Sequence, residues 1–88
     1  AVPLQIQEAS TVVDVRGRTA EEAREALVAC LDQALMDGIP VVRIIHGHGT
    51  GRLRQVLRDY LKESPYVAAF RPGERFEGGD GITVVNLK

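Results

Sequence analysis

The chain has 88 residues, of which 44% are hydrophobic and 26% charged, proportions that suit one small globular domain and exclude a disordered or fibrous protein. Its formal net charge of −1 does not by itself predict an acidic partner, and its longest apolar run, residues 26–31, is far too short to span a membrane. The single cysteine, Cys30, excludes an internal disulfide and favours a reducing, cytoplasmic location. Because the chain begins with Ala1 rather than Met, we expect a fragment of a longer protein.

The charges are nonetheless separated along the chain. Residues 19–37 carry five acids and one arginine, whereas residues 43–62 carry five bases and one aspartate. Such a separation can give a neutral chain one basic surface, which a polyanion can bind. The competing interpretation is a helix face that is merely exposed to water.

Residues 1–10, which include Pro3, are interpreted as the end of a linker. Leu4 and Ile6 alternate with polar residues there, which also allows a short edge strand. After this segment, β-branched valines at positions 12, 13 and 15 predict the first strand, which Arg16-Gly17 terminates.

A helix is predicted from Ala20 to Asp37. Thr19 and Glu22 have the spacing of a capping box, and apolar residues recur at intervals of three and four. Gly38 is placed to form a left-handed C-terminal cap. Cys30 lies on the apolar stripe, so packing in the core is favoured over a reactive thiol.

Three more strands and a second helix follow. The predicted elements are a buried strand at 41–45, a glycine-rich turn at 46–51, a helix at 52–63, strands at 67–70 and 82–87, and a polar, mobile hairpin loop at 72–81. Right-handed crossovers make the first two strands parallel and place both helices on one face of the sheet. The sequence therefore predicts an α/β two-layer sandwich of order β-α-β-α-β-β, with a four-stranded mixed sheet, an antiparallel last strand and one open face.

The turn His46-Gly47-His48-Gly49-Thr50-Gly51 follows a strand and begins a helix. That geometry points backbone N–H groups and the positive end of the helix outward, which forms an anion site. The glycine spacing differs from the dinucleotide fingerprint and from the phosphate loop, which argues against nucleotide binding. The glycines taken alone also fit a simple tight turn.

Arg52 and Arg54 stand in the first turn of the second helix, where a cation opposes the helix dipole at a cost of about 0.3–1 kcal/mol. Arg54, Arg58 and Lys62, which we call the basic ridge, repeat every four residues, a spacing that is unfavourable for like charges unless a polyanion neutralises them. The apolar stripe lies elsewhere on the helix, so the ridge is predicted to face water and to match a phosphodiester backbone. An ordinary solvated face is the alternative.

Asp14 interrupts the first strand, where aspartate is a poor strand former. Alternation places Asp14 and Arg16 on the open face, and His46 follows the neighbouring parallel strand at the same edge of the sheet. Ligand sites of open α/β sheets gather at that edge, so these three residues and the glycine-rich turn are expected to converge. An Asp14–Arg16 pair that only keeps an exposed strand soluble is the competing interpretation.

The sequence gives only weak signals for a metal. One cysteine excludes a cysteine-rich zinc site, and His46 and His48 with one acid are a poor ligand set. A transient Mg²⁺ or Mn²⁺ for phosphodiester cleavage is the remaining metal hypothesis, with Asp14 as its best ligand candidate. In the polar loop, Phe76 is a candidate to wedge or stack against a base.

Three segments together resemble a known family. Val13-Asp14-Val15-Arg16-Gly17 is similar to the Leu-Asp-Leu-Arg-Gly opening of the small MutS-related (Smr) domain, and His46–Gly51 resembles its His-Gly-x-Gly-x-Gly signature. Residues 78–85 resemble the closing segment of the version at the C-terminus of the second bacterial MutS paralogue. The likeness covers about Val12 to Leu87, nearly the whole chain.

The resemblance implies a fold like the C-terminal domain of translation initiation factor three, with residues 11–88 as the Smr domain. It also implies a nucleic-acid-binding domain with nicking endonuclease activity on DNA, including branched DNA, and on RNA as a second substrate. The implied role is recombination control or rescue of collided ribosomes, with DNA or a ribosome as partner. ATPase and dimerisation regions of the parent chain are expected outside this fragment.

The resemblance also assigns roles to single residues. Asp14, Arg16 and His46 match catalytic positions, where Asp14 would position water or a metal and His46 would act as acid, base or ligand. The candidate phosphate-binding residues are Gly47, His48, Gly49, Thr50, Gly51, Arg52, Arg54 and Arg58. His48 stands where the family commonly has lysine. The alternative function is a non-catalytic module that docks a larger ATPase onto DNA or a ribosome.

Overall fold

The structure, a computed structural model, describes residues 9–88. Its main elements are β1 (Ser10–Asp14), α1 (Ala20–Asp37), β2 (Val41–Ile45), α2 (Arg52–Glu63), β3 (Val67–Pro72) and β4 (Ile82–Leu87). The edge strand suggested by Leu4 and Ile6, and most of the linker assigned to residues 1–10, lie outside the described residues. The predicted element order is confirmed.

The four strands form one mixed sheet of order β1-β2-β4-β3. Strands β1 and β2 are parallel, with Val13 opposite Ile44, and β4 is antiparallel to both of its neighbours. This arrangement confirms the α/β sandwich with an antiparallel last strand. It also places the ends of β1 and β2 side by side, and the segments that follow these two strands build the site described below.

Helix α1 begins and ends at the predicted residues because its end signals are local. The Thr19 hydroxyl accepts a hydrogen bond from the Glu22 N–H at 3.2 Å, and the Glu22 carboxylate accepts one from the Thr19 N–H at 3.0 Å. Gly38, with φ of 68°, ends the helix in the left-handed conformation. The capping box thus fixes where the β1–α1 connection meets the helix.

Both helices cover one face of the sheet and enclose the core. Its largest fully buried side chains come from both layers, and they are Leu27, Ile44, Leu57, Leu61, Val15, Val42, Val85 and Thr83. Cys30 packs against this cluster, and burial raises the pKa of its thiol, in agreement with the predicted core role. In the described part of the chain, no helix is long and apolar enough to cross a membrane.

The opposite face of the sheet is partly covered by the β3–β4 connection. The Glu77 carboxylate lies between two arginines of this face, 2.9 Å from Arg71 and 3.8 Å from Arg43. It also accepts a hydrogen bond from the Glu74 N–H at 2.8 Å, and the segment folds into two short 3-10 helices, Arg75–Glu77 and Gly79–Gly81. The connection predicted as a mobile polar loop therefore has defined structure, because Glu77 bonds both the loop backbone and the sheet.

Candidate functional site

A cleft of about 570 Å³ opens where the two helices begin. It is lined by residues 17–20, which lead into α1, and by residues 46–54, which form the glycine-rich turn and the first residues of α2. The N-terminus of α1 is already capped by Thr19, whereas no side chain caps α2 at Gly51 and no acid stands in its first turn. The Arg52 N–H donates to the Thr50 hydroxyl at 3.3 Å, so an anion at the positive end of α2 would meet the N–H groups that follow Arg52.

The glycines of the turn are required by its geometry. Gly47 and Gly51 have φ of 78° and 82°, a conformation that residues with a Cβ rarely adopt. A Cβ at Gly47 would touch the Arg16 side chain at 3.5 Å, and a Cβ at Gly51 would come within 2.8 Å of the Arg54 guanidinium. Both glycines therefore form the tight turn, and Gly51 also lets the Arg54 side chain approach the backbone.

Arg16 links the first strand to the turn, and Asp14 holds Arg16 in place. The Asp14 carboxylate accepts side-chain hydrogen bonds from Arg16 at 2.7, 3.0 and 3.2 Å and a bond from the Arg16 backbone N–H at 3.0 Å. These bonds lower the pKa of Asp14 to about 2. Asp14 is not among the residues that line the cleft, so it reaches the turn through Arg16. The ion pair is present, but of the predicted convergence the structure shows only the approach of the Arg16 side chain to Gly47.

His46 lies in the wall of the cleft but its ring is buried, with the residue only 5% exposed. Its Nδ1 is 2.9 Å from the carbonyl oxygen of Gly47, which can only accept a hydrogen bond, so Nδ1 carries the proton. Its Nε2 then accepts a hydrogen bond from the Thr83 hydroxyl, whose oxygen is 2.8 Å away. That hydroxyl in turn accepts a hydrogen bond from Nε of Arg58 at 3.2 Å. Arg58, Thr83 and His46 thus form a continuous hydrogen-bond chain.

We expect His46 to be the neutral Nδ1–H tautomer at pH 7. Burial lowers the pKa of this imidazole, and the nearby positive charges of Arg58 and Arg54 lower it further. In a pH titration followed by ¹H–¹⁵N NMR, His46 should titrate below the ordinary histidine pKa of about 6.5, with a protonated Nδ1 above its transition. A His46 that titrates at or above that value, or that carries its proton on Nε2, would contradict the assigned chain.

The basic ridge does not lie free in water, which corrects the sequence prediction. Arg54 and Arg58 both pair with Asp80, which the β3–β4 connection supplies; the Arg58–Asp80 distance is 3.5 Å. Their side chains are only 30% and 22% exposed. Lys62 is 4.0 Å from Asp59 and is exposed. The prediction failed because Asp80, which is distant in sequence, pairs with two residues of the ridge. The spacing of residues along one helix cannot reveal such a partner.

The cationic and imidazole groups at the cleft differ from the predicted set. Arg54 lines it beside Asp80, and the exposed residues Arg18, His48 and Arg52 line it as well. Among residues 9–88, neither Arg18 nor Arg52 makes an ion pair. Arg58 does not line the cleft and instead belongs to the hydrogen-bond chain with Thr83. A phosphate in the cleft would therefore meet Arg18, Arg52 and Arg54.

The donor set does not fit a resident divalent metal ion. In the part of the chain that the structure describes, no three His, Cys, Asp or Glu side chains come together as a metal site. Both oxygens of Asp14, the predicted ligand candidate, already accept hydrogen bonds from Arg16. Magnesium in proteins is held by oxygen ligands whose lone pairs are free, and here that would require the Arg16 pair to open.

Besides Arg18 in the cleft lining, the sequence did not indicate two residues that hold side chains of the site. Thr83 holds the His46 ring, and Asp80 holds Arg54 and Arg58. Both lie in the segment 78–85 that carried the third part of the family resemblance, which was the available signal. The backbone of this segment also reaches the turn, since the Gly81 carbonyl accepts hydrogen bonds from the N–H groups of His46 and Gly47 at 3.2 and 3.0 Å.

Comparisons with known proteins agree with this architecture. The family model of the Smr domain matches residues 13–88. Endonuclease MutS2 of Anaeromyxobacter sp. (strain Fw109-5) is 53% identical over 76 residues, which is 86% of this chain and 9% of that protein. Endonuclease MutS2 of Clostridium novyi (strain NT) is 47% identical over 85 residues, 97% of this chain and 11% of that protein. The chain thus spans about a tenth of the length of these curated relatives.

Two solved structures are similar as well. The crystal structure of the Smr domain of Thermus thermophilus MutS2 has a TM-score of 0.87 at 40% identity and covers 89% of this chain and 98% of that one. YdaL, a stand-alone small MutS-related protein from Escherichia coli, has a TM-score of 0.75 at 32% identity and covers 93% of this chain and 66% of that one. The sequence match and the shared fold lead to one conclusion: the chain belongs to the Smr domain family.

Proposed function

We propose that this domain binds the phosphodiester backbone of nucleic acid in the cleft and nicks it. The observation that carries the proposal is the uncapped N-terminus of α2, which opens into a cleft that Arg52, Arg54 and His48 also line. Cations at a helix N-terminus destabilise an isolated helix, so their presence there is better explained by an anionic ligand. The relatives of Anaeromyxobacter and Clostridium, named endonucleases, support the same class of ligand.

The proposed chemistry divides the work among four side chains. The backbone N–H groups of the turn hold the phosphate, and Arg16, which lies beside Gly47 outside the cleft lining, stabilises the charge that develops on it. Asp14 orients Arg16; with a pKa of about 2 it is too weak a base to take a proton from water at neutral pH. His46 is buried and fixes the turn, so the exposed imidazole of His48 is the group that can exchange protons with a bound substrate.

The wider biological role is proposed from the family. We take residues 11–88 as the functional domain, with DNA as the first substrate, RNA as the second and a ribosome as a further partner. Recombination control or ribosome rescue in the cytoplasm are the roles to be tested. Since the chain spans about a tenth of its curated relatives, the ATPase and dimerisation regions would lie in the rest of the parent protein.

The second candidate function is a non-catalytic docking module. The observation that favours it is the engagement of the predicted catalytic groups, because His46 is buried with both ring nitrogens bonded and Asp14 is paired with Arg16. Incubation of the purified domain with supercoiled plasmid and with RNA, in Mg²⁺ or Mn²⁺ and in EDTA, separates the two functions. Nicking supports the enzyme, whereas binding without any cleavage supports the module.

Arg52→Ala should weaken binding of DNA independently of its base sequence. Arg52 lines the cleft and makes no ion pair among residues 9–88, so each contact that it makes to a phosphate releases counterions. The slope of log affinity against log salt concentration should become shallower by about 0.9, measured by fluorescence anisotropy over a salt series.

Lys62→Ala is the matched control for this measurement. Lys62 is also an exposed cation of α2, but it stands in the last turn, away from the cleft. In Lys62→Ala, the slope of log affinity against log salt concentration should stay at the parental value. If the two variants change the slope equally, binding is spread over α2 and the cleft is not its centre. If neither variant changes it, α2 is not part of the interface.

A further inference from the structure

Phe76 is the most exposed of the large hydrophobic residues in the described part of the chain, with 89% of its surface accessible. A single exposed hydrophobic side chain is common on proteins and needs no explanation by itself. Phe76 differs from such a residue because hydrogen bonds and ion pairs of the neighbouring residues hold the 3-10 helix on which it stands. The helix spans only three residues, Arg75–Glu77, and it presents the ring to solvent.

The support of Phe76 is a set of bonds made by the next residue, Glu77. Its backbone N–H donates to the Glu74 carbonyl oxygen at 2.8 Å, and its carboxylate accepts from the Glu74 N–H at 2.8 Å. The same carboxylate, only 13% exposed, pairs with Arg71 at 2.9 Å and lies 3.8 Å from Arg43. The aromatic ring is thus attached to a short turn that is bonded to two strands of the sheet. A ring held in this way loses less conformational freedom when it binds a flat partner.

The position of Phe76 relates it to the cleft. Four residues further along the chain, Asp80 pairs with Arg54, which lines the cleft. The next residue, Gly81, accepts hydrogen bonds from the backbone of the glycine-rich turn and lies under the His48 ring. Four residues of chain span at most about 14 Å, so Phe76 is within a few nucleotides of a phosphate bound at the turn.

We infer that Phe76 stacks on an unpaired nucleobase of the strand whose phosphate occupies the cleft, an inference that rests on the proposed function. Proteins that bind single strands combine a basic groove along the backbone with aromatic rings that stack on the bases. In a duplex the faces of the bases are covered by their neighbours, and exposing one requires its pairing and stacking to be broken. The substrate class is therefore a strand with an unpaired segment beside the bound phosphate, in DNA or RNA.

Phe76→Ala should weaken binding of a single strand by about 5- to 150-fold, the range found when a base-stacking aromatic residue is removed. The probes are short oligonucleotides of DNA and of RNA, each single-stranded and as a perfect duplex, with 2-aminopurine as a fluorescent base. Stacking on Phe76 should quench 2-aminopurine in the single strand when the parent protein binds. The quenching should be lost in Phe76→Ala and retained in Phe76→Trp, whereas affinity for the duplex should be unchanged.

The matched control is Tyr66→Ala, which removes another exposed aromatic residue, one that lies before β3 and outside the cleft. It should change neither affinity nor quenching. Equal losses for single strand and duplex, or quenching that survives in Phe76→Ala, would overturn the inference. If Phe76→Ala binds as the parent does while Arg52→Ala binds more weakly, stacking is wrong and the proposed function stands. If neither substitution affects binding, the cleft itself is not the binding site.

Discussion

Asp14→Asn is expected to slow phosphodiester cleavage at least ~100-fold without weakening the binding of nucleic acid. The carboxylate does not line the cleft, and it makes all its described side-chain contacts with Arg16. Asparagine keeps the size but loses the negative charge and one acceptor oxygen, so the Arg16 side chain, which lies beside Gly47, is held less firmly. A displacement of about 1 Å in a group that holds the reacting phosphate can cost ~100-fold in rate. Binding should be equal or slightly stronger because a negative charge is removed near the phosphate.

A double-mutant cycle tests whether Asp14 acts through Arg16. If it does, Arg16→Ala should slow cleavage about as much as Asp14→Asn, and the double variant should be little slower than either one. Two independent losses that multiply would instead show that the carboxylate acts on water or a metal directly. Plasmid nicking under single-turnover conditions gives the rates, and anisotropy gives the affinities.

The pH profile supplies a second readout for the same residue. The hydrogen bonds from Arg16 lower the pKa of Asp14 to about 2, so the carboxylate stays ionised well below neutral pH. Its folded-state pKa is depressed, and the stabilisation that it gives is therefore present above the unfolded pKa of about 4 and is lost as the pH falls through about 2. Above about pH 4, protonation of Asp14 should therefore cause no decrease in the cleavage rate of the parent protein. A decrease in the parental cleavage rate above pH 4 that is absent from Asp14→Asn would contradict this assignment.

The fold was predictable wherever the signal was local. The capping box of Thr19 and Glu22 and the cap at Gly38 gave both ends of α1, and the valine-rich segments gave the strands. Strand β3 extends to Pro72, two residues beyond the prediction, because Arg71 and Pro72 lie opposite Val84 and Thr83 of β4. Such an extension is decided by the partner strand and leaves no mark in its own sequence.

The glycine-rich turn and the Asp14–Arg16 pair could be placed from the sequence, but the electrostatics around the turn could not. Asp80 pairs with arginines 26 and 22 residues away in the sequence, and Thr83 bonds a histidine 37 residues away. Periodicity within one helix cannot reveal a partner that arrives from another element. The same long-range contacts explain why His46, predicted as an acid, base or ligand, is buried and why the basic ridge is partly neutralised.

Thr83→Val is expected to lower the free energy of unfolding by about 1–3 kcal/mol, because it leaves buried polar groups without a partner. The Thr83 hydroxyl donates to Nε2 of His46 and accepts from Nε of Arg58, and Thr83 itself is fully buried. Valine has nearly the same shape, so no cavity is formed and the effect isolates the hydroxyl. For a domain of this size, each kcal/mol lowers Tm by roughly 4–8 °C. Urea unfolding followed by circular dichroism measures the change.

Thr83→Ser is the control that separates loss of the hydroxyl from other effects of the substitution. Serine keeps the hydroxyl and removes one methyl group, so it should retain the hydrogen-bond chain and the Nδ1–H tautomer of His46, at a cost of about 1 kcal/mol for the lost methyl. In Thr83→Val, Nε2 of His46 loses the hydrogen bond that it accepts from the Thr83 hydroxyl. The NMR signals of the His46 ring should therefore shift together with those of Gly47 in the turn. Equal stability of the valine variant and the parent would show that the hydroxyl contributes nothing. The turn would then be held by the backbone hydrogen bonds to Gly81 and by the bond from Nδ1 of His46 to the Gly47 carbonyl oxygen.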